Sequence, residues 1–421
     1  MMIPRRKFIK SSLQYSVSLL AVPSLANHRY PEPHADKADA GDYDLTLQAP
    51  TRLFDGESCW AHPRAGVIPG AGINGQSRAV FTMNTVALKG SDVFKGMYGM
   101  YSDDNGNTWT APQLQDNLAP RFETIDGVER PVAASDFWPQ YHAASQKLLG
   151  IGHTVVYTPD WRVTSPRPRD TSFSVYNPDD NTWSVWQKLE MPKQDKFINA
   201  GAGCVQRYDE PDGTILLPIY FAMPGTNSYV TVLRCTFDGT TLRLQEQGNE
   251  LGIDGPTRGL GEPSLTKFNG EYFLTIRNDL RAFVTRSKDG MHFDAVKPWT
   301  FDDGTDLGSY NTQQHWVTHS DALFLVYTRR GANNDHVARN RAPLFMAQVD
   351  PERLCVLRET ERILIPERGA MLGNFGVNDV NEHETWVTAS EWMQPKGVEK
   401  YGSDGSVFIA KIRWHQPNKL I

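Results

Sequence analysis

The chain has 421 residues and a formal net charge of −6, with 34 Gly, 27 Pro and 11 Trp. This balance gives no electrostatic support to a nucleic-acid-binding protein, but it does not exclude an anionic substrate, because the charge of a site is local. The Gly, Pro and aromatic contents fit a turn-rich all-β protein with a large core.

The N-terminus has the pattern of an export signal. The stretch 4–10 reads PRRKFIK, which resembles the twin-arginine consensus, and a modestly apolar run from 13 to 25 follows it. We expect a signal peptide over 1–26, with an ordinary secretory signal as the alternative, and export to the periplasm or the outside of a bacterial cell. A polar linker is predicted over 27–44. No later stretch approaches the roughly 18 apolar residues of a membrane span.

The four cysteines show no C-x-x-C spacing, so neither a zinc ribbon nor a redox motif is predicted. Cys59, Cys204, Cys235 and Cys355 each lie in a strand-like context and are expected to be buried free thiols. One disulfide between Cys204 and Cys235 remains open as the alternative.

A turn signature appears at 101–109, which reads YSDDNGNTW and fits the Asp-box (BNR-repeat) pattern S-x-D-x-G-x-T-W. Ser102 and Asp104 are expected to bind turn N–H groups, Gly106 to supply a positive φ, and Trp109 to pack beneath the hairpin. The pattern indicates a β-propeller hairpin and has no chemistry of its own.

Degenerate versions of this hairpin end recur along the chain about 60 residues apart. They are Asn177–Trp183, Thr236–Thr240, Ser287–Phe293, Val349–Leu354 and the terminal strand Val407–Trp414. The repeats predict one domain over 45–421, a six-bladed β-propeller, or a seven-bladed one if 122–156 forms its own blade. The last strand is expected to pair with the first blade and so close the ring.

The stretch 259–293 reads as three strands, with Asn269-Gly270 as a hairpin turn. Two charged residues interrupt its apolar pattern. Glu262 stands where the first strand begins, and Arg277 ends the second strand. We expect both side chains to open onto the same rim of the propeller.

Together with HPRAGVIP at 62–69, these features resemble the sialidase (neuraminidase) superfamily. The resemblance implies three arginines that bind a sugar carboxylate through bidentate, charge-assisted hydrogen bonds. They are Arg64, Arg277 and Arg341, with Arg339 as second choice for the third. It also implies acid–base roles for Asp92 and Glu262.

One departure from that family concerns the nucleophile, a Tyr near the start of the last full blade. The corresponding stretch 371–377 reads MLGNFGV and contains no Tyr. The family's covalent mechanism needs that hydroxyl. Tyr310 and Tyr327 are the nearest substitutes, and no spacing favours either.

A second resemblance, to propeller ulvan lyases and related rhamnosidases, comes from DFWPQYH at 136–142 and LLGIGH at 148–153. It implies that His142 and His153 both face the channel and abstract a proton α to a uronic carboxylate. Tyr220 would act as acid, and Arg234 would neutralise the carboxylate. The alternative is that each His is structural.

A polar and aromatic stretch at 310–316, YNTQQHW, is predicted to form a sugar subsite in which Gln314 and His315 bind hydroxyl groups. The alternative is a polar loop network. His315, His319 and His336 could ligate a metal, but their spacing is unspecific. No cofactor is expected, and a structural metal stays open as an alternative that the spacing does not support.

The sequence predicts an exported, monomeric, sialidase-like glycoside hydrolase that acts on a carboxylated or sulfated glycan. One alternative is a polysaccharide lyase that cleaves a uronic-acid polymer by His/Tyr β-elimination. Others are a non-catalytic glycan-binding propeller and a structural propeller for protein interaction.

Overall fold

The computed structural model of the protein describes residues 42–90, 92–223 and 225–421. These residues form six antiparallel sheets of four to six strands, arranged as a six-bladed β-propeller. The predicted blade count is confirmed, and the stretch 122–156 belongs to the second blade. The predicted signal peptide and all but three residues of the predicted linker lie outside the described residues.

The strands follow the blades in chain order. Blade 1 contains β2 (Ser58–Ile68), β3 (Arg78–Ala87), β4 (Phe94–Ser102) and β5 (Gln113–Leu114). Blade 2 contains β6 (Arg121–Ile125), β7 (Val128–His142), β8 (Lys147–Val156), β9 (Thr171–Asn177), β10 (Thr182–Trp183) and β11 (Gln187–Lys188). Blade 3 contains β12 (Asn199–Gly201), β13 (Tyr208–Asp209), β14 (Ile215–Ala222), β15 (Tyr229–Phe237) and β16 (Leu242–Gln247).

The second half of the ring has the same plan. Blade 4 contains β17 (Gly261–Phe268), β18 (Glu271–Arg277), β19 (Phe283–Ser287) and β20 (Lys297–Pro298). Blade 5 contains β21 (His315–His319), β22 (Ala322–Tyr327), β23 (Leu344–Asp350), β24 (Cys355–Val356) and β25 (Arg362–Ile365). Blade 6 contains β26 (Gly376–Asn381), β27 (Glu384–Ser390), β28 (Ser406–Trp414) and β1 (Tyr43–Arg52).

Ring closure differs in one detail from the expectation. The last strand does not join the first blade; instead β1, the first strand, pairs with β28 and becomes the outer strand of blade 6. Tyr43 lies opposite Trp414, and the pairing continues to Arg52 opposite Ser406. The N-terminal strand thereby covers the edge that β28 would otherwise expose to solvent.

The helical content of the described residues is limited to short 3-10 turns. They are Ile73–Gly75, Asp116–Leu118, Ala143–Ser145, Asp195–Phe197, Ala338–Asn340, Arg358–Thr360 and Val398–Tyr401. A search of the same residues for a helix long and apolar enough to cross a membrane found none.

The turns between the third and fourth strands carry the repeat seen in the sequence. In blade 1 the Asp104 carboxylate accepts hydrogen bonds from the backbone N–H groups of Asn107 (3.0 Å) and Thr108 (2.8 Å). In blade 4 Asp289 accepts in the same way from the N–H groups of Met291 and His292, both at 2.8 Å. These turns lie at one end of the propeller, together with the turns between first and second strands.

The opposite end of the central channel is called the mouth here. It is bordered by the segments that lead into the innermost strands. It is also bordered by the loops that join the second strand of each blade to the third, counted outward from the innermost strand. Those innermost strands are β2, β7, β12 with β13, β17, β21 and β26, each of which contacts a neighbouring blade. All four cysteines are buried free thiols, as the sequence predicted.

Candidate functional site

In every one of the six blades a non-glycine residue with positive φ stands within the innermost strand or in the segment next to it. They are His62, Asp136, Cys204, Glu262, Asn311 and Asn374. Such residues are uncommon, and they concentrate where the surrounding structure has to hold a side chain in a fixed place. Register shifts in β2, β7 and β17 accompany three of them.

Four of these side chains are joined to one another, and His62 links the two pairs because its Nε2 lies 3.5 Å from Oδ2 of Asp136. The Cys204 thiol donates to Oδ2 of Asp136 (2.7 Å). The Asn374 amide lies 2.6 Å from Nε2 of His62. Side chains from blades 1, 2, 3 and 6 are therefore joined in one buried polar layer below the mouth.

Arg64 belongs to this buried layer and not to the accessible surface. Its guanidinium donates to Oδ1 of Asp136 (3.2 Å) and to the backbone carbonyl of Asn374, and it lies over the ring of Trp138 at 4.9 Å. The side chain is fully buried. The expectation that Arg64 contacts a substrate carboxylate is therefore wrong for this conformation, because no ligand atom can reach it.

A second group of charged residues lies at the mouth, in blades 4 and 5. Glu262 and Arg277 form an ion pair, as their predicted position on one rim allowed. Asn311 links the arginines: its Oδ1 accepts from Arg277 (2.5 Å) and from Arg258 (3.3 Å), and its backbone carbonyl accepts from Arg341.

Arg341 forms no ion pair with a carboxylate of the described chain, although the charge of Glu262 acts on it from a greater distance. Its side chain is 4% exposed, its Nε has no hydrogen-bond partner, and no ion pair to it occurs among the described residues. Burial and the neighbouring Arg277 and Arg339 lower the pKa of Arg341 to about 9. Gly373 makes this packing possible, because a Cβ there would lie 2.9 Å from Cδ of Arg341. A buried, unpaired guanidinium indicates a site for an anion.

His153 and Tyr220 meet at the mouth between blades 2 and 3. Nδ1 of His153 lies 3.3 Å from the Tyr220 hydroxyl. Burial, followed by the charges of Arg169 and Arg167, holds the pKa of His153 well below its usual value, so the imidazole is neutral near pH 7. Burial also raises the pKa of Tyr220, which keeps its hydroxyl protonated.

Asp92 lies at the same end, in the loop between β3 and β4. Its carboxylate pairs with Arg167 at 3.0 Å, and about a third of the side chain is exposed. Burial acts to raise the pKa of Asp92, but the charge and hydrogen bond of Arg167 outweigh it and lower the pKa below the usual value. Asp92 is therefore ionised at neutral pH.

Two residues of the lyase hypothesis lie away from the mouth. His142 stands at the β7–β8 hairpin turn, opposite Lys147, whereas His153 lies opposite Ser135. Both ring nitrogens of His142 are used, by Ser145 (2.8 Å) and by the Gly213 carbonyl (2.9 Å). The expectation that both histidines face one site is wrong, because β8 runs away from this turn.

Arg234 is the second such residue. It lies on β15 opposite Leu216, whereas Tyr220 lies opposite Val230. Its guanidinium pairs with Glu246 at 3.1 Å. Arg234 therefore belongs to the far half of blade 3 and does not join Tyr220.

The predicted sugar subsite at 310–316 is buried. Gln314 is fully enclosed, and its amide donates to the Ser309 hydroxyl (3.0 Å) and the Thr312 carbonyl (2.7 Å). His315 is equally buried, with Nδ1 2.7 Å from the Ser264 hydroxyl. Neither residue can bind a sugar hydroxyl from solvent, so the alternative of a polar network describes this stretch.

Neither proposed substitute tyrosine is placed as a nucleophile. The Tyr327 hydroxyl is buried against Glu361 (2.6 Å), and the Tyr310 hydroxyl donates to Asn340 (2.8 Å). At the start of blade 6 the channel-facing residue is Asn374. Within the described residues, no group of His, Cys, Asp and Glu side chains has the geometry of a metal site.

Sequence reasoning missed Arg169, Asn311 and the Asp136–Cys204 contact as parts of this region. The position of Arg169 within its blade is a signal that the sequence does contain. Arg169 stands shortly before β9 and Arg341 shortly before β23, so an alignment of the blades with one another would place the two arginines at equivalent positions. The positive φ of Asn311 leaves no comparable trace in the sequence.

Comparisons with known proteins support the fold. No protein-family model matches the chain, and no curated protein matches its sequence. A crystal structure of a Dyadobacter fermentans protein of unknown function matches with a TM-score of 0.56 at 12% identity, over 87% of this chain and 99% of that one. A Hadza microbial sialidase matches with a TM-score of 0.56 at 12% identity, over 84% of this chain and 66% of that one.

A mutant of the NanB sialidase from Streptococcus pneumoniae matches with a TM-score of 0.54 at 13% identity, over 86% of this chain and 70% of that one. At these identities the likeness shows the fold alone. The protein is thus a six-bladed propeller of sialidase-like architecture.

Proposed function

We propose that the protein is an exported carbohydrate-active enzyme, a sialidase-like glycoside hydrolase that acts on an acidic glycan at the mouth of the propeller. The observation that carries this proposal is Arg341, a buried guanidinium without a carboxylate partner in the described chain. Leaving a charge buried and unpaired costs several kcal/mol. A ligand anion that binds there recovers much of that cost.

Arg277 and Arg341 form the proposed carboxylate-binding pair. Both are held by Asn311, one through its side chain and the other through its backbone carbonyl. Guanidinium groups bind carboxylates by paired hydrogen bonds, which fixes the orientation of the sugar as well as its charge. A sulfate group presents the same kind of acceptor.

Asp92 and Glu262 are the proposed acid–base residues for hydrolysis. They lie on opposite sides of the mouth, in blades 1 and 4, and each is paired with an arginine. Oε2 of Glu262 is buried without a partner, so it is free to bind a water or a substrate hydroxyl. The stretch 371–377, which corresponds to the region of the sialidase nucleophile, contains no Tyr, so no covalent tyrosyl intermediate is included in the proposal.

A second candidate reaction, β-elimination, is favoured by the His153–Tyr220 contact. The neutral imidazole would take the C5 proton of a uronic acid, and the Tyr220 hydroxyl would protonate the leaving glycosidic oxygen. The C4–O bond breaks and a C4=C5 double bond forms, so no water is consumed.

Product analysis separates the two reactions. Sialylated, uronic and sulfated glycans are incubated with the purified protein, and released reducing ends and ultraviolet absorbance are both followed. Hydrolysis releases reducing ends without an absorbing product, whereas elimination forms an unsaturated, absorbing sugar. Glu262→Gln should abolish the first activity and Tyr220→Phe the second.

Glu246→Gln, an exposed change on blade 3, serves as the control for the loss of a carboxylate. If turnover survives both Glu262→Gln and His153→Asn, neither catalytic assignment is correct. If none of the glycans is turned over or bound, the protein is not an acidic-glycan enzyme of either kind.

A further inference from the structure

Arg169 presents a second unbalanced charge, on the other side of the mouth. Its side chain is 8% exposed, its Nε has no partner, and no ion pair or side-chain hydrogen bond to it occurs within the described ranges. Its guanidinium lies over the Tyr220 ring at 4.6 Å. An aromatic face offsets only part of the cost of burying this charge.

Other buried arginines of the described chain are compensated. Arg64 pairs with Asp136 at 3.2 Å, and Arg207 pairs with Asp209 at 2.9 Å. Arg169 and Arg341 are the buried arginines that lack such a carboxylate in the part of the chain that the structure describes. Both of them lie at the mouth.

The two arginines occupy equivalent places in the ring. Arg169 lies in the loop that joins β8 to β9 in blade 2, and Arg341 lies in the corresponding loop of blade 5, which joins β22 to β23. Blades 2 and 5 are three positions apart in a ring of six, so they face each other across the channel. Each arginine therefore approaches the same opening from the opposite side.

The side chain of each arginine also packs against a glycine at the start of the next blade. A Cβ on Gly201 would lie 2.6 Å from Cδ of Arg169, just as one on Gly373 would lie 2.9 Å from Cδ of Arg341. Real Cβ atoms do not make such close contacts. Because these two residues are glycines, both arginine side chains can pack against the backbone of the next blade. The terminal guanidinium nitrogens, Nη1 and Nη2, then face the mouth.

The surroundings of Arg169 leave this side of the mouth positive. Asp92 is the nearby carboxylate, and Arg167 already pairs with it at 3.0 Å. His153, which is packed against Arg169 and Gly203, is neutral and adds no negative charge. An anion at Arg169 would therefore meet no repulsive group that is unpaired.

We propose that Arg169 forms a second anion-binding subsite opposite Arg341, and that the ligand is a glycan with at least two anionic groups on neighbouring sugars. The glycan part rests on the proposed function. The anion-binding part does not, because it depends only on the two uncompensated guanidinium groups.

Anion binding is tested without any glycan. Crystals of the protein are soaked with selenate, whose anomalous signal locates each ion. The expected result is one selenate on Arg169 and one on Arg341, with only the first lost in Arg169→Gln and only the second in Arg341→Gln. An empty Arg169 in the unmodified protein overturns the proposal.

The number of charges on the ligand is tested by calorimetry with N-acetylneuraminic acid, its α2,8-linked dimer, galacturonic acid and digalacturonic acid. Arg169→Gln should weaken binding of the dianionic sugar by about 10- to 100-fold, as expected for a lost charge-assisted hydrogen bond. It should leave the monoanionic sugar within about twofold. Arg341→Gln should weaken both.

Arg162→Gln is the matched control, since Arg162 stands in the same loop with 79% of its side chain exposed. Equal weakening of both sugars by Arg169→Gln would assign Arg169 to the single carboxylate site and overturn the second subsite. Two bound selenates together with no turnover of any acidic glycan would sustain the subsite and refute the proposed enzyme.

Discussion

Burial separates the arginines of this protein by role. Arg64 is enclosed, and its charge is balanced by Asp136 at 3.2 Å, so it is used to hold the inner strands together. Arg341 is nearly as buried, but within the described residues its guanidinium donates to the Asn311 carbonyl and to no carboxylate. The first arrangement stabilises the fold, whereas the second is costly, and under our proposal a bound anion offsets that cost.

This difference predicts opposite effects of the same substitution. Arg341→Met should raise the free energy of unfolding by about 1 kcal/mol, because it removes a buried unpaired charge. Arg64→Met should lower it by about 3–5 kcal/mol, because Asp136 then remains buried without its partner. Urea unfolding of both variants measures these changes.

The exposed pair of Arg353 with Asp350 provides the control, and Arg353→Met should change stability by less than 1 kcal/mol. A destabilised Arg341→Met protein would show that this guanidinium is structural, and the carboxylate-binding role would lose its basis.

The sequence predicted the position of some site residues but not of others. Glu262 and Arg277 were predicted to share a rim, and they form an ion pair, because a strand end and the start of its partner lie side by side in a hairpin. The depth of Arg64 could not be predicted. Its burial depends on Asp136 and Asn374, which stand in the two neighbouring blades but are 72 and 310 residues away along the chain.

The turns between strands are the elements from which the fold could be predicted. Asp104 accepts from two backbone N–H groups and from the hydroxyls of Ser102 (2.8 Å) and Thr108 (2.7 Å). Trp109 packs beneath, edge-on to Phe81. Because this turn is built from a few consecutive residues, its sequence pattern can be recognised without knowledge of the rest of the fold. The recurrence of that pattern along the chain therefore predicted six blades.

Asp104→Ala should therefore lower stability by about 1–3 kcal/mol, since it leaves backbone donors without acceptors. Binding at the mouth should not change, because this turn lies at the other end of blade 1. Asp180→Ala, at the equivalent turn of blade 2, should cost less than Asp104→Ala, because Asp180 accepts from one backbone N–H group, that of Thr182, whereas Asp104 accepts from two. Thermal unfolding compares the two.

Equal losses from Asp104→Ala and Asp180→Ala would contradict the view that the number of accepted hydrogen bonds sets the contribution of each turn. Loss of activity in Asp104→Ala, with the fold intact, would show that the two ends of the propeller are coupled.

Strand direction explains why the paired-histidine hypothesis failed. His142 and His153 lie on neighbouring strands, but a hairpin turn at 143–146 stands between them. Residues on either side of such a turn meet at the same end, and each later residue of β8 lies about 3.3 Å farther away. His153 consequently reaches the mouth, whereas His142 stays at the opposite end.

At the scale of the whole molecule, the ring buries three histidines in a neutral state. Burial is the main cause that lowers the pKa of His62, His153 and His315. All three regain an ordinary pKa near 6.5 on unfolding. The unfolded chain thus binds more protons as the pH falls, and the folded chain loses stability.

The free energy of unfolding should accordingly be highest above about pH 6.5. Below that pH it should decrease by up to about 1.4 kcal/mol per pH unit for each histidine. Thermal unfolding between pH 5 and pH 8 measures this before most carboxylates titrate. His315→Gln should give a shallower slope than the unmodified protein, and the exposed change His383→Gln should not. A melting temperature that stays constant from pH 8 to pH 5 would contradict this account.

The proposal that Arg277 and Arg341 bind the carboxylate of an acidic glycan is tested by reducing the carboxyl groups of the substrate to alcohols. The initial rate is measured for the best glycan of the screen and for the same glycan with its carboxylate reduced to an alcohol. The unmodified protein should prefer the carboxylate by about 100-fold or more, and Arg341→Gln should lose most of that preference through a lower rate on the acidic form. Equal rates of the unmodified protein on both glycans would contradict the claim.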